Sequence, residues 1–123
     1  MRHILLIEDD VEFRAIVRRQ LEQMGLRVTE AGDGREGLER LGQVCPDLVL
    51  TDIYMPEMDG IETIMKLRQN SLATKIVAMS GGGRWRNNAN LNIVEKLGVR
   101  VSLAKPFSTE QLKHVIEQVL AEA

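Results

Sequence analysis

The 123-residue sequence predicts an α/β fold, a doubly wound parallel sheet of five strands formed by one domain over residues 1–123. Three observations carry that expectation. Short, nearly all-apolar runs alternate five times with longer runs of helical period, which is the pattern of a parallel sheet covered on both faces. Glycine, proline and capping residues fall between the runs. Acidic or small polar residues close the strand-like runs, where open α/β sheets place a ligand crevice.

The elements follow in order. His3 to Ile7 reads as a first strand closed by Glu8, Asp9 and Asp10. Asp10 is the N-cap expected for a helix to Met24 that buries Ile16, Val17, Leu21 and Met24, with Gly25 as its stop. Leu26 to Glu30 is a second strand, and Gly34 to Leu41 a short helix ending at Gly42. Leu48 to Leu50, bounded by turn residues and ending in Thr51 and Asp52, is the central buried strand. Asp59 and Glu62 resemble a capping box for a helix to about Gln69. Ile76 to Met79 is a fourth strand ending at Ser80, and the glycine-rich stretch Gly81 to Asn87 leads to a helix ending at Gly98. Val99 to Ala104 is the fifth strand. Ser108 and Gln111 cap a last helix whose Leu112, Val115, Ile116, Val119 and Leu120 recur at helical spacing. Right-handed crossovers with helices on both faces favour the flavodoxin-like order 2-1-3-4-5.

Composition narrows the function. A net charge of −2 gives no bulk attraction to nucleic acid or anionic lipid, and four aromatics offer no base-stacking platform. No apolar stretch has membrane-spanning length, and the N-terminus does not read as a signal peptide. One cysteine allows no internal disulfide, which fits a cytoplasmic location. Cys45 reads as a packed thiol, and His3 and His114 are isolated. Arg14, Arg18 and Arg19 on the first helix read as a solvated face, the alternative being a dock for an acidic partner. The triple glycine at 81–83 lacks the spacing of a nucleotide phosphate loop.

In the 2-1-3-4-5 order, Glu8 and Asp9 come beside Asp52, while Ser80 and Lys105 approach from strands four and five. Carboxylates ~5 Å apart repel by roughly 3 kcal/mol per pair at an effective dielectric near 20. A cation or a shared proton must offset that cost. All-oxygen ligands suit Mg²⁺ or Mn²⁺, and no Cys/His cluster favours zinc.

Ile4 to Asp10, Thr51 to Gly60, Ala78 to Gly81 and Leu103 to Phe107 together resemble the receiver domain of two-component response regulators. The resemblance spans the chain, with one motif at each strand end. It implies that Asp52 accepts a phosphoryl group from a phosphohistidine on a histidine kinase or histidine phosphotransfer protein. It also implies Mg²⁺ on Asp9, Asp52 and the Tyr54 backbone carbonyl, with Glu8 acting through water. Lys105 and Ser80 would contact the phosphoryl group, Gly81 would leave room for it, and Pro106 would follow a cis peptide bond. Ser102 stands where many members carry an aromatic switch residue, and the stretch from Ser80 to Lys105 is longer than usual. The loop with Gly81, Gly82, Arg84 and Trp85 is read either as a tolerated surface insertion or as the element that orders on phosphorylation. The implied role is a stand-alone signalling module without an output domain, acting through a changed protein-binding surface. A phosphate sink or relay carrier, an aspartyl-phosphate phosphatase and an unphosphorylated pseudo-receiver are the alternatives. The phosphatase class wants a second acid two residues after its nucleophile, where this chain has Tyr54.

Overall fold

The computed structural model describes residues 1–53, 60–70, 74–81 and 98–122. Within them the chain runs β1 (His3–Ile7), α1 (Val11–Gln23), β2 (Arg27–Ala31), α2 (Gly34–Gln43), β3 (Leu48–Asp52), α3 (Gly60–Asn70), β4 (Lys75–Gly81), β5 (Val99–Lys105) and α4 (Thr109–Ala121). All strand pairs are parallel, and the sheet order is β2-β1-β3-β4-β5, as expected. The helix expected before Gly98 and the Asp59 cap lie outside the described residues.

Side chains alternate across a strand, so each strand feeds two cores. Leu5, Ile7, Val49, Ile76 and Ala78 face Ile64 and Leu67 of α3, with Leu38 and Leu41 of α2 packed alongside. On the other face Ile4, Leu6, Leu48, Leu50, Val77, Met79 and Leu103 meet Val17 and Leu21 of α1 and Leu112, Ile116 and Val119 of α4. The strands read as unbroken apolar runs because both faces are buried.

The caps are as local chemistry dictates. Asp10 Oδ1 accepts from the Phe13 amide at 3.1 Å. Ser108 and Gln111 make the reciprocal box, with Gln111 N donating to Ser108 Oγ at 3.0 Å and Ser108 N to Gln111 Oε1 at 2.8 Å. Asp33, not anticipated, caps α2 by accepting from the Glu36 amide at 2.8 Å.

Four expectations need correction. Ile16 is not in the core but 56% exposed. The α1 stripe runs through Phe13, Val17, Leu21 and Met24, and Ile16 lies about a quarter turn away from it. β2 begins at Arg27 rather than Leu26, because the Leu26 amide closes α1 by donating to Leu21 O at 3.2 Å. Gly25, at φ +82°, makes that reversal without a steric penalty. α2 continues through Gly42 to Gln43, since Gly42 does not take the left-handed conformation that would end a helix. β4 and β5 extend past the expected ends to Gly81 and Lys105.

Candidate functional site

The strand alternation that builds the α1/α4 core also builds the site. Ile4 and Leu6 on β1 lead by period two to Glu8; Leu48 and Leu50 on β3 lead to Asp52; Leu103 on β5 leads to Lys105. Ile7 is level with Thr51, Asp52 with Met79, and Met79 with Leu103. Glu8 and Asp52 are thus neighbours one step beyond the core, and Lys105 stands one repeat further along β5. Its long stem reaches back to both. Lys105 Nζ donates to Glu8 Oε1 at 2.5 Å and to Asp52 Oδ2 at 3.0 Å.

The ion triad is withdrawn from solvent. Side-chain exposure is 0% for Glu8, 7% for Asp52 and 19% for Lys105, so the charges interact through a medium far less polarisable than water. Glu8 Oε2 also accepts from the Asp10 amide at 3.1 Å. Burial pushes the Glu8 carboxyl up to about 7, against the opposing pull of the Lys105 and Asp10 hydrogen bonds, and the Asp52 charge pushes the same way as burial. For Lys105 burial works to lower the pKa, but the hydrogen bonds and charges of Glu8 and Asp52 outweigh it and the net shift is upward. Lys105 is held as an ammonium.

Asp9 completes an acidic cluster. One carboxylate oxygen from each of Glu8, Asp9 and Asp52 lies within 4.8 Å of the others. Three oxygens at that spacing, one of them on a partly exposed residue, match the donor set of a hard divalent cation such as Mg²⁺. The expected convergence of Glu8, Asp9, Asp52 and Lys105 is therefore present. Gly81 is level with Lys105 at the end of β4, and Ser80 is level with Ala104; the Ser80 side chain is outside what is described. Ser102 is exposed on β5, and the Lys105–Pro106 peptide bond is cis, as expected. Tyr54, Gly82, Arg84 and Trp85 lie outside the described residues.

Two features escaped the sequence reading. Arg14 is not part of a solvated face: its Nη1 donates to the Glu8 carbonyl at 2.9 Å, and its Nε lies 3.4 Å from Glu30 Oε1. Arg18 is tied at 2.5 Å to the same Glu30. The Phe13 ring lies 4.4 Å from Lys105 Nζ, and Phe107 packs edge-on against it. The period-two extension of the strands, combined with the α1 stripe, would have placed Phe13 on that face.

The chain is similar to known proteins in sequence and in fold. Residues 4–117 match the family described as the response regulator receiver domain. The response regulator receiver protein CpdR of Brucella abortus is 36% identical over 123 residues, covering all of both chains. A probable chemotaxis protein CheY of Rhizobium etli is 34% identical over 120 residues, covering 94% of this chain and 90% of that one. The chain spans only half the length of a probable C4-dicarboxylate response regulator DctR of Priestia megaterium, to which it is 33% identical. Among solved structures, chemotaxis protein CheY4 of Vibrio cholerae superposes with a TM-score of 0.88 at 27% identity, covering 97% of this chain and 98% of that one. A CheY-like receiver domain protein of Methanospirillum hungatei gives 0.90 at 25% identity, covering 98% and 94%. No helix among the described residues is long and apolar enough to cross a membrane. On the family match and the full-length likeness together, the chain belongs to the response regulator receiver domain family.

Proposed function

We propose that Asp52 is the phosphoacceptor of a phosphorelay and that the phosphorylated protein presents an altered surface to a protein partner. The observation that carries this reading is the Lys105 ammonium held 3.0 Å from Asp52 at the rim of the acidic cluster. A carboxylate oxygen of Asp52 forms the new P–O bond as the P–N bond of a donor phosphohistidine breaks, and the bonding pair returns to the imidazole nitrogen. The donor is a histidine kinase or a histidine phosphotransfer protein. Lys105 offsets charge on the phosphoryl oxygens during transfer, as a positioned cation does in phosphoryl transfer generally.

Asp9 and Asp52, with the Tyr54 backbone carbonyl, are the residues that would hold Mg²⁺ or Mn²⁺, which when bound would neutralise phosphoryl charge. Both Glu8 oxygens already accept hydrogen bonds within the chain, which supports an outer, water-mediated role for Glu8. Ser80 is the proposed partner of the acyl phosphate. Gly81, Gly82, Arg84, Trp85 and Ser102, with Ser80, are the proposed switch residues.

The test is direct. The protein is incubated with acetyl phosphate and Mg²⁺, and its intact mass is measured. A labile gain of one phosphate, absent in Asp52→Asn and absent with excess EDTA, is expected. No gain in the wild-type protein under saturating donor would overturn the proposal. Continuous release of phosphate from varied monoesters would favour a phosphatase instead.

A further inference from the structure

We propose that Phe13, braced by Phe107, is a positioning residue that holds the Lys105 ammonium over Asp52 with the face of its ring. This rests on the reading of Asp52 as phosphoacceptor. Lys105 carries its charge on a flexible four-carbon stem, and two carboxylates compete for it. The carboxylates alone do not fix where between them the ammonium sits. The Phe13 ring supplies a third contact, with its centroid 4.4 Å from Nζ, well inside the ~6 Å range of cation–π attraction. Only 19% of the lysine side chain is exposed, so water competes weakly for that contact.

The ring is itself fixed from three sides. Phe107 meets it edge to face, at 5.6 Å between centroids and 74° between planes. Both rings pack on the apolar core that underlies the site. The Phe13 amide is capped by Asp10, so the ring is registered to the turn that carries Glu8 and Asp9. An aliphatic side chain would fill most of that space, but it has no negative ring face to offer an ammonium. Ser102 is exposed and offers no aromatic on β5, and among the described residues the aromatic face beside Lys105 comes from the first turn of α1.

The experiment compares wild type with Phe13→Leu, Phe13→Tyr, Lys105→Met and Phe13→Leu/Lys105→Met. Phosphorylation by acetyl phosphate at saturating Mg²⁺, Mg²⁺ affinity by calorimetry and urea midpoints are measured. Phe13→Leu is expected to slow phosphorylation by about 2- to 30-fold, the span of a partly desolvated cation–π contact, with Mg²⁺ affinity changed by less than about twofold. Phe13→Tyr, which keeps the ring face, restores the rate. The urea midpoints show coupling: Phe13→Leu shifts the midpoint more in the presence of Lys105 than in the Lys105→Met background. If Phe13→Leu does not fold, Phe13→Met takes its place in the same series. A wild-type rate in the aliphatic variant, an equal loss in Phe13→Tyr, or additive midpoints would each overturn the proposal. A wild-type protein that takes up no phosphate would instead sink the phosphoacceptor reading, and the urea cycle would still decide whether Phe13 and Lys105 are coupled.

Discussion

Replacing Lys105 by Met keeps most of the aliphatic stem and removes the charge between Glu8 and Asp52. At 3.0 Å a unit ion pair is worth roughly 5 kcal/mol at an effective dielectric of 20, and Lys105 makes a second contact at 2.5 Å. The gross attraction is partly cancelled by desolvation. Removing one partner of a buried pair is known to cost about 3–5 kcal/mol, because the other charge is stranded. A protein of this size has only about 5–15 kcal/mol of stability in total. Lys105→Met in metal-free buffer is therefore expected to lose roughly 3 kcal/mol at pH 8.5.

The pH dependence makes the reasoning specific. Burial raises the Glu8 carboxyl from 4.5 to about 7 in the folded protein, and Lys105 pulls against that rise. A folded-state pKa above the unfolded one means that the folded state binds more protons between the two values. Stability from this group thus increases as pH falls through about 7 and levels off below 4.5. Without Lys105 the folded-state value climbs further, so the variant protonates Glu8 at a higher pH and escapes the stranded charge. The loss relative to wild type should shrink from pH 8.5 to pH 5.5. Urea unfolding followed by far-ultraviolet circular dichroism, in EDTA at pH 5.5, 7.0 and 8.5, measures it. A loss that is the same at all three pH values, or below about 1 kcal/mol at pH 8.5, refutes the picture of Lys105 as the cation that pays for a buried Glu8.

Two further outcomes test the scaffold. Gly37→Ala would place a Cβ 2.4 Å from Ile7 Cδ1 and 2.9 Å from Cγ1. Ile7 is fully buried and cannot retreat freely, so overpacking of about 1–3 kcal/mol should outweigh the ~1 kcal/mol helix-propensity gain and lower the urea midpoint. The pKa of His3 is lowered, first by burial and then by Arg27, with Asp47 opposing. Its neutral form is favoured on folding, so its contribution is present above 6.5 and is lost as pH falls through the lower folded-state value. The stability of wild type relative to His3→Gln should accordingly decline from pH 7.5 to pH 5, and a rise over that range would contradict the assignment.

Much of this was legible in the sequence because it is local. Strand runs, the Asp10 cap and the Ser108–Gln111 box are written within a few residues of one another, and the parallel order follows from their alternation. The acids and the lysine could be gathered because each ends a strand. What was not legible depends on how a helix is rotated on the sheet. Ile16 and Val17 are adjacent and equally apolar, and only the seating of α1 exposes one and buries the other. The same seating turns Arg14 inward to the Glu8 carbonyl and lays Phe13 beside Lys105. Sequence spacing gives a helix its stripe, but the sheet decides the phase of that stripe.

That dependence explains why the site is built where it is. Glu8, Asp52 and Lys105 continue the alternation of the face that packs on α1 and α4, so the charged group is an extension of an apolar core. A core of that kind excludes water from one side of the cluster, which raises the cost of every unpaired charge and the value of every paired one. The cost is visible in the raised Glu8 carboxyl, and the pairing in the raised Lys105 ammonium. Asp9, off that alternation, is partly exposed where Glu8 and Asp52 are buried. If charge and core are coupled in this way, trimming the core beneath the cluster should disturb the chemistry. Leu6→Ala, whose buried side chain precedes Glu8 in the alternation, should lower the phosphorylation rate as well as stability by about 2–5 kcal/mol. A Leu6→Ala protein that is less stable yet still folded at the assay temperature, and that takes up phosphate at the wild-type rate, would show that the core supports the fold without positioning the site.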